Sequence, residues 1–212
     1  GKPVDTGLVK HLASRFETGA HSMHHRKLHE LDRDTAYEEI SGSKAWLEDT
    51  VGKRVDGFCY PGGWYTQETV ALVKAAGFAG ARTTGSFGFS VNTPYEWAPT
   101  IQVYPFPLRK FRNAKHYPWT KLQPLTRRLV PMWRLRLPVS AWFSLPRLLR
   151  ALFDVAGKNN SGFHLWGHSW EIEKYDMWDI LEDFFRFVAK QPAVTTLTNG
   201  EILQQFPPNT PS

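Results

Sequence analysis

Apolar residues recur at helical spacing in three segments of the first half of the chain, which predicts three amphipathic helices. Their spans are 7–16, 34–51 and 66–76. Asp34 is the expected N-cap of the second helix, and Thr66 is that of the third. Gly52 and Gly77 follow the last apolar positions of these two helices, where glycine commonly ends a helix.

Short apolar runs between and after these helices predict β-strands. The predicted strands span 17–21, 55–60, 78–82, 162–168 and 193–197. A fourth amphipathic helix is predicted over 176–190, before the last strand. Strands and helices that alternate at this spacing are typical of a parallel α/β fold.

Residues 97–160 interrupt this alternation, because they are rich in proline and arginine. We predict that they form an insertion with one or two helices, over about 120–136 and 144–156. Between Glu96 and Asp154 the sequence holds 11 basic residues and no acidic one. The whole chain has a net charge of +6, so its basic character belongs to the insertion. The basic residues are Arg109, Lys110, Arg112, Lys115, Lys121, Arg127, Arg128, Arg134, Arg136, Arg147 and Arg150.

The composition is that of a globular domain. Hydrophobic residues make up 42% and charged residues 22% of the 212 positions, which excludes a disordered chain. No run of about 18 apolar residues occurs, so no transmembrane helix is predicted. The single cysteine, Cys59, excludes an internal disulfide. The nine tryptophans fit either stacking on sugar rings or a tryptophan-rich core.

The segment that begins at Glu17 contains two histidines four residues apart, His21 and His25. On a helical turn this spacing places both imidazoles on the same side, where they can bind one divalent ion. Imidazole suits Zn, Co, Ni or Fe, and such sites are commonly completed by a carboxylate and water. His24 and His29 are alternative ligands, and solvent-exposed histidines without a metal explain the same spacing.

A second candidate site follows the strand that ends at Tyr60. The chain runs there into Pro-Gly-Gly, and the backbone N–H groups of such a turn, Gly62 among them, could bind an oxyanion. A plain turn that ends a strand explains the same residues.

A third candidate site follows the predicted strand that contains Trp166. His168 lies there at the carboxyl end of a parallel strand, where α/β barrels hold their catalytic groups. It could act as a general acid, with Ser169 and Glu171 as partners that orient it. A structural histidine is the alternative.

Taken in this order, the segments resemble the motifs of the polysaccharide deacetylases of carbohydrate esterase family 4. The matching segments are 21–25, which fits His-Ser/Thr-x-x-His, then 58–63, and 166–171 with its histidine. Residues 80–84 and 198–202 resemble a strand and a closing segment of one branch of that family. Single motifs are weak signals, but their order makes the resemblance specific.

The resemblance covers residues 7–96 and 160–204, while the insertion at 97–160 resembles nothing we can name. It implies an α/β fold, a distorted (β/α) barrel of the polysaccharide deacetylase type that is N-terminally incomplete and carries the basic insertion. We therefore expect a single deacetylase-like domain, 1–212.

The resemblance also implies an activity, the hydrolysis of N-acetyl groups on a glycan by a metal-activated water. It implies that His21 and His25 bind a divalent metal, with Zn the first candidate and Co, Ni or Fe as alternatives. It implies that His168 protonates the leaving amine. The oxyanion and substrate contacts that we expect are Gly62, Tyr60, Arg82 and Trp166.

The sequence departs from the family pattern at two places. The family's adjacent Asp pair, which supplies a metal ligand and the base, has no counterpart, because Asp5 is the sole Asp before the His motif. We expect either a chain that continues upstream or a non-catalytic carbohydrate-binding domain on the same scaffold. Cys59 stands where many members have Arg, and Gly62 stands where many have Tyr. Arg82 is a candidate to replace that arginine as the residue that binds an anionic or polar group of the sugar.

The basic segment 97–153 interleaves its cations with Trp119, Trp133 and Trp142. Segments of this kind bind acidic polysaccharides, anionic membrane surfaces or nucleic acid. Together with the deacetylase resemblance, the pattern favours an anionic glycan or a lipid-linked sugar, and nucleic acid ranks last. An ordinary solvated face over an aromatic core is the alternative.

Overall fold

The computed structural model of the chain describes residues 4–91, 93–109 and 118–205, and the side chains of 118 and 119 are not described. The chain divides into two compact units. The first unit comprises Gly1–Thr84, Val91–Ala98 and Thr196–Ser212, and the second comprises Gly85–Ser90 and Pro99–Thr195. The expected single domain, 1–212, stays a prediction. The expected cations at 110, 112 and 115 lie outside the described residues.

The described residues form α-helices, short 3₁₀ helices and short strands. The α-helices are α1 Thr6–Arg15, α2 Arg33–Val51, α3 Gln67–Ala75, α4 Gln123–Arg134, α5 Leu145–Lys158, α6 Ser169–Lys174, α7 Trp178–Val188 and α8 Asn199–Gln204. The strands are β1 Gly57–Cys59, β2 Gly80–Arg82, β3 Ile101–Gln102 and β4 Leu165–Trp166. The 3₁₀ helices are Leu28–Glu30, Pro61–Gly63, Pro118–Leu122 and Val139–Phe143. No helix in the described part of the chain is both long and apolar enough to span a membrane.

The helix boundaries of the first unit follow from local capping. Thr66 caps α3 through reciprocal bonds with Thr69, and Gly52 ends α2 with a left-handed φ of 69°. The prediction for the start of α2 is wrong by two residues. Asp32 is the N-cap, and its side chain accepts from the Thr35 N–H at 2.9 Å. Asp34 lies inside the first turn, where a carboxylate is also favourable.

Parallel strands form the centre of the first unit. β1 pairs with β2 in parallel, from Gly57 opposite Gly80 to Cys59 opposite Arg82. The strand predicted over 17–21 is reduced to one parallel bridge, between Ala20 and Phe58. Buried apolar side chains from α2, α3 and the strands pack together beside this sheet. They include Tyr60, Ile40, Phe58, Val55, Val73 and Phe78.

The first unit also joins residues that are far apart in sequence. The Glu17 carboxylate, which follows α1, accepts hydrogen bonds from the backbone N–H groups of Asn199 and Gly200 at 2.8 and 2.6 Å. These groups begin α8, so Glu17 satisfies donors that have no partner within the helix. Leu203 of α8 in turn lies against Gly80 of β2. The last described helix is thereby fixed to the first third of the chain.

The second unit contains the helices that were predicted within the insertion. α4 and α5 correspond to the predicted helices over 120–136 and 144–156. β3 pairs with β4 in parallel, and α7 corresponds to the helix predicted over 176–190. Apolar residues of β3, of the segment just after it, and of α4, α5, α6 and α7 form one buried cluster. Its most deeply buried members are Ile101, Val103, Met132, Leu148, Leu149 and Leu152.

Helices alternate with short parallel strands in both units, which confirms the α/β class. The strand predicted over 193–197 is wrong. These described residues form a turn and an exposed segment without a strand partner. The β-branched residues in that run favour extended backbone, but extended backbone forms a strand only beside a neighbouring strand. The described residues form two short sheets, and the distorted barrel stays a prediction.

Candidate functional site

His21 and His25 come together in the first unit. Their ring centroids lie 4.7 Å apart, with an angle of 74° between the ring planes. The helical turn that the spacing predicted is wrong, because Ser22 and His25 adopt positive φ values of 61° and 55°. Such backbone is rare for residues other than glycine and is frequent at functional sites. The two histidines therefore converge through a loop and not through a helical turn.

The ring of His21 is oriented by the end of β1. Its Nδ1 lies 2.6 Å from the carbonyl oxygen of Cys59. A carbonyl can only accept, so Nδ1 carries the proton and the lone pair lies on Nε2. Metal-binding histidines commonly have this arrangement, in which one ring nitrogen donates to a carbonyl and the other binds the ion.

A buried carboxylate from α2 holds the loop between the two histidines. Glu39 is only 5% exposed, and its side chain accepts from the His24 backbone N–H at 2.9 Å. The Nδ1 of the His24 ring lies 2.8 Å from the other carboxylate oxygen. The backbone carbonyl of Glu39 accepts from the Met23 N–H at 3.1 Å. One residue therefore binds two successive backbone amides of the loop. The sequence analysis missed it, because nothing local to the histidines points to α2.

The environment of Glu39 keeps it ionised. Burial by itself raises the pKa of a carboxyl group. Hydrogen bonds from the backbone and ring of His24, and the charges of His24 and Arg26, outweigh it and hold the pKa of Glu39 below its usual value. The Nδ1 of His24 is thus engaged by Glu39 rather than free to bind a metal. Among the described residues, no group of three or more His, Cys, Asp or Glu side chains could hold a metal ion.

The turn after β1 presents a backbone amide to solvent. Gly62 is exposed and has a φ of 63°, and the Gly63 N–H donates to the Tyr60 carbonyl at 2.9 Å. The Gly62 N–H has no hydrogen-bond partner in the part of the chain that the structure describes. The role of the Gly62 N–H as an oxyanion donor stays a prediction.

The side chain of Tyr60 is fully buried, which corrects the expectation that it contacts a substrate. Its hydroxyl donates to the Tyr95 carbonyl at 2.9 Å, and its ring stacks on Tyr65 at 4.7 Å. Burial raises the pKa of the Tyr60 phenol well above its usual range. The Tyr60 side chain therefore packs in the core beside the turn, as expected for an aromatic residue that faces inward at the end of a strand.

Cys59 and Arg82 lie opposite each other in the register of β1 and β2. Burial raises the pKa of the Cys59 thiol, while the charge and a hydrogen bond of Arg82 oppose that rise. The arginine side chain therefore lies beside the position where many family members carry their own arginine. The role of Arg82 as an anchor for a polar or anionic sugar group stays a prediction.

In the second unit, His168 follows β4 and forms the N-cap of α6. Its Nδ1 lies 2.7 Å from a carboxylate oxygen of Glu171, which is almost fully buried. The same oxygen accepts from the Gln102 side chain at 3.3 Å. The carboxylate therefore fixes the proton on Nδ1 and leaves Nε2 for a substrate. Glu171 was an expected partner, but Gln102 lies 69 residues away and gave no sequence signal.

Two tryptophans flank the His168 ring. The ring of Trp166 lies 5.4 Å from it and that of Trp170 lies 5.6 Å from it, measured between centroids. Trp170 is largely exposed, while the indole N–H of Trp166 is buried without a partner among the described residues. An exposed indole beside an imidazole, as in Trp170, suits the apolar face of a sugar ring.

The sequence model of the polysaccharide deacetylase family matches residues 5–81. This part of the chain is similar to the polysaccharide deacetylases, and we call it the deacetylase segment. The deacetylase segment includes His21, His25, Tyr60 and Gly62, and it ends before His168. The resemblance that the sequence motifs indicated is thereby confirmed. No curated protein matches the chain significantly.

Solved structures similar to the chain come from bacterial deacetylases. A Mycobacterium smegmatis protein assigned as a polysaccharide deacetylase has a TM-score of 0.61 over 94% of this chain and 66% of its own, at 16% identity. This similarity shows a shared fold. A Streptococcus pyogenes deacetylase in complex with acetate has a TM-score of 0.43 at 19% identity, over 58% of this chain and 51% of its own. A polysaccharide deacetylase from Bacillus cereus has a TM-score of 0.41 at 24% identity, over 46% of this chain and 32% of its own.

The chain is shorter than these relatives. It spans about half the length of the Streptococcus protein and about a third of the Bacillus protein.

Proposed function

We propose that this chain is part of a metal-dependent hydrolase that removes N-acetyl groups from a glycan or a lipid-linked sugar. The observation that carries the proposal is the His21–His25 pair within the deacetylase segment. Its rings lie 4.7 Å apart, and the Nδ1 proton of His21 is bound by Cys59. This leaves a lone pair for an ion, as in known histidine metal sites.

The donors present fit a divalent cation. Two exposed imidazoles suit Zn, and also Co, Ni or Fe. A bound cation would polarise the acetyl carbonyl and lower the pKa of a water. By family resemblance the remaining ligand and the base are Asp side chains. Asp5 does not take that place, because it caps α1 through the Leu8 N–H at 2.9 Å.

The other proposed roles rest on residues of this chain. The Gly62 N–H would donate to the developing oxyanion. The Nε2 of His168 would give a proton to the leaving amine, while Glu171 holds Nδ1 and stabilises the charged ring. Arg82 and the Trp166 and Trp170 rings would contact the sugar. The buried side chain of Tyr60 takes no direct part in this proposal.

The first experiment measures metal binding to the full chain by calorimetry with Zn, alongside acetate release from N-acetylated oligosaccharides. We expect His21→Ala and His25→Ala each to weaken Zn binding at least about tenfold. His11→Ala is the matched control, because His11 is an exposed histidine on α1. Equal Zn affinity in all three variants would refute the metal assignment.

A non-catalytic carbohydrate-binding domain is the second candidate. It is favoured by the aromatic pair beside His168 and by the lack of a third ligand among the described residues. The two candidates differ in one measurement. Glycan binding that depends on Trp170, without acetate release at saturating Zn, would support the binding domain over the enzyme.

A further inference from the structure

The exposed side of α4 combines apolar and basic side chains. Arg127, Val130, Trp133 and Arg134 are exposed, while Arg128 and Met132 on the opposite side are buried. Spacings of three and four residues place the exposed side chains on one face of the helix. The 3₁₀ helix Val139–Phe143 packs against α4 and exposes both of its end residues. We call this surface the basic face, and its members are Arg127, Val130, Trp133, Arg134, Val139 and Phe143.

The apolar members of the basic face are unusually exposed for a globular domain. They are between 56% and 70% exposed, and Trp133 is the most exposed. Isolated exposed apolar residues are ordinary, but four large ones on adjacent elements mark a binding surface. Burying these apolar side chains against a partner would therefore be favourable.

The charge of the surrounding segment has one sign. Residues 118–153 contain no acidic residue, and six of their cations are exposed. Arg127, Arg134, Arg136 and Arg147 have no carboxylate partner within the part of the chain that the structure describes. Unpaired cations of one sign create a positive potential that attracts an anionic partner.

Exposed apolar residues elsewhere in the described chain are not always surrounded by charges of one sign. α7 also exposes large apolar side chains, Trp178 and Phe185. There the neighbouring charges are mixed, since Arg186 pairs with Glu182 and Asp179 lies in the first turn. α7 offers an apolar surface without a charge preference, whereas the basic face selects an anionic partner.

We propose that the basic face binds the surface of an anionic lipid bilayer. Aliphatic side chains such as Val130 and Val139 gain free energy on entering the acyl boundary of a bilayer, while Trp133 suits the interfacial layer. The arginines remain at the level of the lipid phosphates. Acidic polysaccharides and nucleic acids would pair with the arginines but would leave the aliphatic side chains in water. The lipid surface is therefore the partner that uses every member of the face.

This proposal goes beyond the deacetylase chemistry and does not depend on it. Membrane binding would hold the chain where lipid-linked sugars and envelope glycans are found. A chain that binds vesicles but releases no acetate would count against the proposed enzyme alone. A chain that releases acetate but does not bind vesicles would count against the proposed membrane binding alone.

The test is co-sedimentation of the full chain with vesicles of equimolar phosphatidylglycerol and phosphatidylcholine, compared with phosphatidylcholine alone. We expect binding to the anionic vesicles, weakened by salt as screening increases. Each arginine near an anionic surface is worth about a fivefold change in binding, so R127Q/R134Q should weaken it about 25-fold. The matched control K10Q/R15Q removes the same charge from α1 and should change binding less than about twofold.

A second pair of variants tests the apolar contribution. Trp133→Ser should weaken vesicle binding while leaving its salt dependence unchanged, because the variant removes no charge. Trp178→Ser, on α7, is the control and should bind as the unmodified chain does. Thermal unfolding of each variant confirms that it folds, and all the substituted positions are exposed.

Three outcomes would overturn the proposal. The first is equal binding of R127Q/R134Q and K10Q/R15Q to anionic vesicles. The second is retention on an acidic polysaccharide or DNA without any vesicle binding, which would assign the face to a polyanion. The third is concentration-dependent dimerisation that Trp133→Ser abolishes, which would assign the face to a second copy of the chain.

Discussion

Replacing Glu39 by Ala should loosen the loop that brings His21 and His25 together. The change removes an acceptor for the His24 backbone N–H at 2.9 Å and for the His24 ring at 2.8 Å. A hydrogen bond to a charged group contributes about 1.5–3 kcal/mol. The His24 side chain is 72% exposed, so its ion pair is worth less than about 1 kcal/mol. We therefore expect Glu39→Ala to lower the free energy of unfolding by about 2–3 kcal/mol.

Zn binding should weaken together with stability. Residues that orient metal ligands typically affect metal affinity by about 10–100-fold, and Glu39 acts through the loop rather than on the ion. Urea unfolding and Zn calorimetry on the same preparations measure both effects. Glu38→Ala is the matched control, because Glu38 is the preceding residue of α2 and is exposed. Glu39→Gln should be intermediate, since its amide oxygen can still accept from the His24 N–H.

The pH dependence of the Glu39 variants has a definite sign. The pKa of Glu39 is lowered in the folded chain, so the carboxylate stabilises the fold fully above the ordinary value of 4.5. That contribution is lost as the pH falls through the lowered folded value. The difference in unfolding free energy between the unmodified chain and Glu39→Gln should therefore shrink in acid.

Equal stability of Glu39→Ala and Glu38→Ala at neutral pH would refute this account of the loop. A large loss of stability with unchanged Zn affinity would refute the claim that Glu39 positions the two histidines. Glu39 would then contribute to folding stability only.

Four other substitutions test separate parts of the structure. His168→Ala should lower the rate of acetate release about 100-fold, and Glu171→Gln should lower it less, with KM nearly unchanged in both variants. An unchanged rate in His168→Ala would show that His168 is not the general acid. Gly62→Ala should lower stability by about 1 kcal/mol in thermal unfolding, because its φ is 63° and a Cβ would lie 2.9 Å from the Trp64 ring. Arg128→Met should be neutral or stabilising in urea unfolding, because Arg128 is buried without a carboxylate partner among the described residues and burial lowers its pKa to about 10. A loss of stability above about 2 kcal/mol would show that its hydrogen bond to the Gln102 carbonyl matters more than the cost of burying its charge.

Local signals accounted for much of the fold. The capping residue Thr66 and the stop at Gly52 are decided by neighbours within one turn, so the sequence alone predicts them. The start of α2 could not be predicted to the residue. Asp32 and Asp34 are both good caps, and only the extended backbone at Asp32 decides between them.

The candidate site depends more on contacts between distant residues. The spacing of His21 and His25 predicted that they would meet, but the route depends on Glu39, which belongs to another helix. The hydrogen bond from Gln102 to Glu171 likewise joins residues 69 positions apart, so no local pattern predicts it. The burial of Tyr60 is likewise set by its ring neighbours, and its place next to Pro-Gly-Gly in the sequence does not reveal it.

The bond between Glu17 and the start of α8 has a consequence for how the protein is made. A ribosome releases the chain from its N-terminus, so Glu17 emerges long before its partners at 199 and 200. Until those residues appear, the first unit lacks the helix whose Leu203 lies against Gly80. The second unit, whose residues end at 195, is complete at an earlier stage of synthesis. The unit whose sequence comes first is therefore the one that finishes folding last.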